Sequence, residues 1–344
     1  MPGNDIIVIG ASAGGVEALT ELVGNLPQGI PAALLVVLHI SPTAPSLLPE
    51  ILNRAGSIPA MAAVHDDVIR QGHIYVAPSN HHLLLTEGGV IRLTHGPKEN
   101  RHRPAIDPLF RSAAYTYGPR VAGVVLTGTL DDGTAGSLVI KSAGGVIAVQ
   151  DPHEALFPDM PQSVLENMDV DYCLPLSRIA PLLVSLATKP IEKKALYPAP
   201  EKVMIETNIS HLAESTEEVM DKLGKPSTFT CPECQGTLWE IQDEKLIRFR
   251  CRVGHAFSPH SMLAEQSEKV ESALWAALRS LEENANLYRR MVERERGLNN
   301  NLLAARFEEN LKDTEYHIKT IRHILLKKEK PVFQEKGKIP HASS

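Results

Sequence analysis

Cysteine is scarce in this chain, with four in 344 residues, which excludes a small scaffold held together by disulfides. No apolar stretch reaches the roughly 20 residues that a membrane-spanning helix needs. The N-terminus has no basic segment leading into an apolar core, so it does not read as a signal peptide. Positive charge is not in excess either: 35 Lys and Arg stand against 41 Asp and Glu, a net charge of −6. The first 190 residues are acidic and the remainder is balanced but denser in charge, so neither part carries the footprint of a nucleic-acid binder. These absences predict a cytoplasmic protein without membrane insertion or a nucleic-acid partner. The length suggests about two domains.

What is present begins with I-I-V-I-G-A-S-A-G-G over residues 6–15. Four apolar residues, Ile6 to Ile9, read as a buried strand, and Gly10, Gly14 and Gly15 supply a tight turn into a helix near Val16. Ser12 would then stand at the carboxyl edge of a parallel sheet, where open α/β sheets bind ligands. The spacing is one residue away from a dinucleotide fingerprint, but a serine in place of the middle glycine would obstruct a pyrophosphate. G-A-S-A-G also matches the nucleophile elbow G-x-S-x-G, in which the serine is the reactive group. The plain alternative is a Gly-rich turn with Ser12 as a helix cap.

A second apolar run, Ala32 to Leu38, ends at His39. A dinucleotide site wants an acid there to hold a ribose. Histidine suits a general base instead, because its unperturbed pKa of ~6.5 lets it accept and return a proton near neutrality. A third strand, Val121 to Leu126, leads into the polar loop T-G-T-L-D-D-G-T-A-G, residues 127–136. A carboxylate in this loop can orient the imidazole, and backbone N–H groups of the turn can stabilise an oxyanion. Alone, Asp131 and Asp132 would read as helix caps. Three strands ending in Ser, His and Asp are a less ordinary coincidence.

These residues resemble the catalytic domain of the CheB-type chemotaxis protein-glutamate methylesterases. The stretches that carry the resemblance are I-G-A-S-A-G-G, V-L-H-I-S-P, I-Y-V-A-P-S-N-H-H, G-P-K-E-N-R-H-R-P-A-I-D-P-L-F-R-S, V-L-T-G-T-L-D-D-G-T-A-G and F-P-D-M-P, in the family's order from about residue 5 to residue 185. The resemblance implies an α/β fold with a doubly wound, mostly parallel, Rossmann-like sheet. It makes Ser12 the nucleophile, His39 the general base and acid, and Asp132 the orienting carboxylate, with Asp131 as a second carboxylate that competes for that role. Ala13 and Thr129 N–H are its candidates for the oxyanion. The family's G-M-G is G-T-L here, and Leu130 takes up positive φ less readily than glycine, so the loop is expected to differ.

The implied reaction is hydrolysis of glutamate γ-methyl esters on the cytoplasmic helices of methylated chemoreceptors, extending to deamidation of glutamine, with no cofactor for catalysis. Relatives often begin with a receiver domain; here the catalytic strand starts near Asp5, so control is expected from the C-terminal region, a partner or expression. In N-R-H-R-P, residues 100–104, Arg101 and Arg103 flank His102 before a proline, and the segment reads as extended and exposed. The two arginines are substrate-side candidates, able to hold a carboxylate or a receptor carbonyl.

Beyond a Pro- and Lys-rich stretch at residues 189–202, Cys231-x2-Cys234-x16-Cys251-x3-His255 offers three thiolates and an imidazole, enough to close a structural zinc site on a β-hairpin. Cys173 stands apart and is expected to be buried and inert. From Ser261 to about Lys328, Val270, Leu274, Ala277, Leu281, Tyr288 and Met291 recur at helical steps, as do Leu303, Phe307, Leu311, Ile318, Ile321 and Leu325. A turn at G-L-N-N-N, residues 297–301, would fold these into an antiparallel hairpin, available for a homo-oligomer or another chemosensory signalling protein. The expected organisation is a catalytic domain at 1–188, a linker with short helices at 189–226, a zinc-ribbon-like module at 227–260, a helical hairpin or coiled coil at 261–330, and a disordered tail at 331–344. An alternative from a different class is a non-catalytic signalling adaptor that binds through the zinc and helical modules.

Overall fold

The computed structural model describes residues 3–191, 200–212 and 215–327. Most of the Pro- and Lys-rich linker and all of the expected disordered tail lie outside them. The chain falls into two units, Met1–Leu263 and Ala264–Ser344. The cysteine-bearing module is therefore built into the same unit as the α/β sheet.

That sheet begins with β1 (Ile6–Ala11), α1 (Gly15–Gly24), β2 (Ala33–Leu38), α2 (Leu48–Ala55), β3 (Ala60–Ala62) and β4 (Ile74–Val76). A hairpin of β5 (His82–Thr86) and β6 (Val90–Thr94) intervenes, and α3 (Ile106–Tyr117) follows. The sheet then resumes with β7 (Val121–Val125), α4 (Thr134–Ser142), β8 (Val146–Gln150), α5 (Asp159–Asn167), β9 (Tyr172–Leu174) and α6 (Leu176–Thr188). Seven strands pair in the order β3-β4-β2-β1-β7-β8-β9, all parallel.

Burial on both faces explains the unbroken apolar runs. In β1, Ile7 and Ile9 join the core beneath α1, α2 and α6, while Ile6 and Val8 join the core beneath α3, α4 and α5. Strand β2 divides in the same way, with Leu34 and Val36 on one side and Leu35 and Val37 on the other. The chain leaves β1 toward β2 and returns to it at β7, so the order reverses between β1 and β7. Such a reversal opens a crevice at the carboxyl ends of the two strands. Cys173 lies on the edge strand β9 and is exposed, which corrects the expectation that it is buried.

After α7 (Glu201–Ser210) and α8 (Glu217–Leu223) comes a four-stranded antiparallel sheet of β10 (Lys225–Thr230), β11 (Thr237–Asp243), β12 (Leu246–Cys251) and β13 (Ala256–Phe257). Buried charges bind it to the catalytic region. Glu99, 2% exposed, meets Arg111 at 2.8 Å and Arg250 at 2.8 Å. Glu206 meets Arg248 at 2.8 Å and Arg250 at 3.1 Å. Buried ions persist only when paired in this way.

Helix α9 (Pro259–Gly297) starts in the first unit and continues into the second, where it precedes α10 (Asn301–Lys327). Arg289 pairs with Glu315, Arg296 with Glu308 and Arg322 with Glu282, the register of an antiparallel hairpin. Its buried seam runs through Leu278, Ala285 and Val292, at steps of seven. Ala277 and Val270 fall outside the seam and are exposed, and at Ala277 the buried face lies one residue later than the sequence pattern suggested.

Burial alone would raise the Glu99 carboxyl, but Arg111 and then Arg250 outweigh it and hold the group down to about 2. A depressed folded-state pKa contributes stability that is complete above the unfolded value of 4.5 and is lost as pH falls toward 2. Urea denaturation between those limits should show a falling midpoint, with a shallower fall in Glu99→Gln. That variant should also lose about 3 kcal/mol at neutral pH, because two buried arginines lose a partner.

Candidate active site

Ala11 and Leu38 are register partners at the ends of β1 and β2, and Ser12 and His39 are the residues that follow them. His39 N–H donates to Ala11 O at 3.1 Å, and Ser12 N–H donates to Thr127 O at 3.0 Å, just beyond β7. Ser12 thus lies in the crevice at the sheet's reversal point, half-buried. Two glycines shape its surroundings. Gly14 has φ 72°, the left-handed turn that starts α1. A Cβ on Gly128 would come within 2.8 Å of Ser12 Cβ and 2.1 Å of Met160 Sδ, so only glycine lets the two loops approach.

His39 Nε2 lies 2.7 Å from Asp132 Oδ2, and the two side chains are 4% and 2% exposed. Burial pushes the Asp132 carboxyl up, but the hydrogen bond and charge of His39 and further donors more than reverse this. Asp132 is therefore a carboxylate and accepts, so Nε2 carries the proton. The other ring nitrogen, Nδ1, is buried and has no hydrogen-bond partner among the described residues. It is the ring nitrogen that Asp132 does not engage.

Asp132 is held from several directions. Ile106 N–H donates to Oδ2 at 2.6 Å, while Oδ1 accepts from Asn100 Nδ2 at 3.0 Å, Gly133 N–H at 3.0 Å and Asp107 N–H at 3.3 Å. Ile106 and Asp107 open α3, so the carboxylate sits at a helix N-terminus, where negative charge is favoured. Beside it, burial first and the Asp132 charge second push the Asp107 carboxyl well above its ordinary range. The two neighbouring carboxyls are thus pushed in opposite directions. His102 stacks on His39 with ring centroids 3.7 Å apart and planes 11° from parallel. Burial, reinforced by His39, lowers the His102 imidazole to about 3, so the stacking ring is neutral.

The N-R-H-R segment is not extended. Asn100 and Arg101 have φ of 49° and 74°, and Glu99 and His102 exchange backbone hydrogen bonds across them at 3.2 and 2.9 Å. This is the paired left-handed geometry of a tight hairpin, for which asparagine is well suited. The turn aims Asn100 and His102 into the site. Arg103 departs from the substrate-side expectation: its Nε donates to Asn80 Oδ1 and its Nη1 to the carbonyls of His95 and Gly96. It ties loops together. Arg101 lies beside His102, close enough for its charge to help depress that imidazole.

In the loop after β7, Leu130 has φ 64°, so it takes the left-handed conformation expected to be difficult for it. Ser12 and Gly128 N–H are committed to Thr127 O and Phe157 O, which leaves them out as oxyanion donors. Thr129 is exposed and Ala13 half-buried, on either side of this turn. Asp131 does not face the imidazole. Its Oδ1 accepts from Ser258 Oγ at 2.7 Å, and its Oδ2 lies 3.3 Å from His260 Nδ1.

Cys231, Cys234, Cys251 and His255 offer ligand atoms that all lie within 4.8 Å of one another. Cys234 and Cys251 Sγ are 3.6 Å apart, and Cys251 Sγ is 3.5 Å from His255 Nδ1. Thiolates about 2.3 Å from a tetrahedral zinc would be separated by about 3.8 Å, so the donor set and its spacing fit that ion. All four cysteines are free of disulfides.

A serine, a histidine and a buried carboxylate at the switch point of a doubly wound parallel sheet define an α/β protein with a hydrolase-like site. The CheB methylesterase family pattern matches residues 7–183, and the chain belongs to that family. It is 36% identical over 190 residues to a putative protein-glutamate methylesterase/protein-glutamine glutaminase of Leptospira interrogans, covering 55% of this chain and 98% of that protein. It is 34% identical over 189 residues to protein-glutamate methylesterase/protein-glutamine glutaminase 2 of Methanosarcina mazei, where the match covers 53% of this chain but 52% of the relative. The crystal structure of the Thermotoga maritima CheB methylesterase catalytic domain superposes with a TM-score of 0.51 at 34% identity, covering 53% of this chain and 98% of that one.

Two loop substitutions test this geometry. Gly128→Ala should lower stability by about 1–3 kcal/mol, because the added methyl has no space; an unchanged urea midpoint would refute the close approach. Leu130→Gly should keep the loop and gain up to about 1 kcal/mol by relieving the left-handed strain.

Proposed function

We propose that the protein is a protein-glutamate methylesterase, with Ser12 as nucleophile, His39 as general base and acid, and Asp132 as the carboxylate that orients His39. The observation that carries this reading is His39 itself: Nε2 is fixed on a buried carboxylate, and Nδ1 is buried without a partner among the described residues. The names of the relatives in the matched region support the same reaction. The adaptor alternative has no such support.

In this mechanism Nδ1 takes the Ser12 proton as Oγ attacks the γ-carbonyl carbon of a methylated glutamate. Negative charge collects on the carbonyl oxygen, where Ala13 and Thr129 N–H serve as donors. The imidazolium formed is stabilised by Asp132 and returns its proton to the departing methoxide, which leaves as methanol. Water activated by the same nitrogen then cleaves the acyl-enzyme, restoring Ser12 and releasing glutamate. Glutamine follows the same route with ammonia as the leaving group.

The substrate in this reading is a cytoplasmic helix of a methyl-accepting chemoreceptor, with Arg101 on the substrate side. A cleft of about 390 Å³ beside the serine loop, lined by Gly14, Glu17, Thr127, Glu154 and the exposed Leu156, supports a shallow seat for such a helix in this reading. No helix among the described residues is long and apolar enough to cross a membrane, consistent with action in the cytosol. Cys231, Cys234, Cys251 and His255 would hold a structural zinc, which supplies folding energy and no catalytic step. The exposed Trp275, Leu302 and Leu326 of the helical hairpin support a role in self-association.

Methanol release from methylated receptor should fall at least about 10³-fold in Ser12→Ala, as loss of a nucleophile requires. Release by neither protein would refute the reading. Metal analysis should find one zinc per chain, lost in Cys234→Ser.

A further inference from the structure

The start of α9 is closed by a reciprocal cap. Ser261 N–H donates to Ser258 Oγ at 3.0 Å, and Ser258 N–H donates to Ser261 Oγ at 2.9 Å. A cap of this kind satisfies its own helix and needs nothing outside it. Here it also reaches the catalytic loops. The Ser258 hydroxyl donates at 2.7 Å to Oδ1 of Asp131, the residue next in sequence to Asp132. Asn100 Oδ1 lies 3.2 Å from Ser258 N and 3.3 Å from Ser261 Oγ, both donors.

These contacts decide which way the Asn100 amide points. With Oδ1 turned toward the cap, Nδ2 is turned toward the carboxyls, 2.9 Å from Asp107 Oδ2 and 3.0 Å from Asp132 Oδ1. A flipped amide would set an oxygen against Asp132, two acceptors face to face. All of these side chains are buried, so water does not readily replace a lost donor.

The cap lies three residues beyond His255 of the Cys/His cluster. Between them, Ala256 N–H donates to Lys98 O at 3.3 Å, and Asn100 N–H donates to Ala256 O at 2.8 Å. Lys98 Nζ meets Glu233 Oε1 at 3.0 Å, inside the Cys231-x-x-Cys234 knuckle. The ligand-bearing turns and the turn that carries Asn100 are thus joined at both ends.

We infer that the Cys/His module is a clasp on the catalytic site, in which Ser258 and Asn100 are positioning residues for ester hydrolysis. The module sets the cap, the cap sets the Asn100 amide, and the amide holds Asp132 against His39. The effect on turnover rests on the methylesterase reading above; the effect on the His39–Asp132 pair does not.

The test uses the full chain loaded with zinc. Ser258→Ala should lower kcat for methanol release about tenfold with KM unchanged, and Ser258→Thr, which keeps the hydroxyl, should restore it. Asn100→Ala should show the same split. In the resting protein, the downfield proton NMR signal of His39 Nε2–H should shift or broaden in Ser258→Ala and return in Ser258→Thr. Zinc removal by a chelator should produce the same spectral change and faster amide exchange over residues 98–107 and 128–134. If the wild type releases no methanol but these signals respond, the enzyme reading fails and the clasp stands. The clasp is overturned if Ser258→Ala and Asn100→Ala, folded and holding zinc, leave both the His39 signal and any wild-type kcat within twofold. It is equally overturned if zinc leaves without altering exchange in those loops.

Discussion

A carboxylate with almost no access to water is the constraint around which the first unit is organised. Asp132 remains charged only because donors converge on it from the first turn of α3, the loop after β7, His39 and Asn100. These donors come from four parts of the chain. The carboxylate therefore ties together the end of β2 that presents His39, the loop after β7, the start of α3 and the turn at residues 99–102. The same requirement explains its titratable neighbours. Asp107 and His102 stand within reach of the pair; burial raises the Asp107 carboxyl and, reinforced by His39, holds the His102 imidazole down to about 3, so both are disfavoured as charges beside Asp132.

The cysteine-bearing sheet is an extension of this arrangement. Its buried arginines are satisfied by Glu99 and Glu206, and its last strand joins the turn that presents Asn100. Charges so deep in the protein contribute little net stability over apolar packing, but they penalise any other docking of the module. The geometry delivered to Asp131 and Asn100 is correspondingly definite.

The sheet and the strand-end placement of Ser12 and His39 were legible in the sequence because the signals were local and strong. Ile6 to Ile9 and Ala32 to Leu38 are unbroken apolar runs, as strands covered on both faces must be, and each ends directly at a chemically distinctive residue. The resemblance singled out Asp132 over Asp131, and the geometry separates them by giving each a different partner. What escaped was set by turn chemistry and long-range packing. Asn100 and His102 were in view, but the arginines around them drew the reading toward an exposed strand, whereas left-handed Asn100 and Arg101 fold the segment inward. Ser258 and Ser261 form a recognisable cap; their second partners lie more than a hundred residues away, which no local pattern reveals. The edge position of Cys173 likewise depends on strand order, and Ala277 misses the buried seam because the helices pack one residue later.

The central claim is that Asp132 fixes the tautomer of His39, which leaves Nδ1 as the nitrogen that serves Ser12 in the proposed mechanism. Nitrogen-15 NMR of the ring-labelled protein at neutral pH tests it most directly. The account predicts a protonated Nε2 and an unprotonated Nδ1 for His39, with the preference lost in Asp132→Ala. A proton resident on Nδ1, or a tautomer indifferent to Asp132, would contradict it.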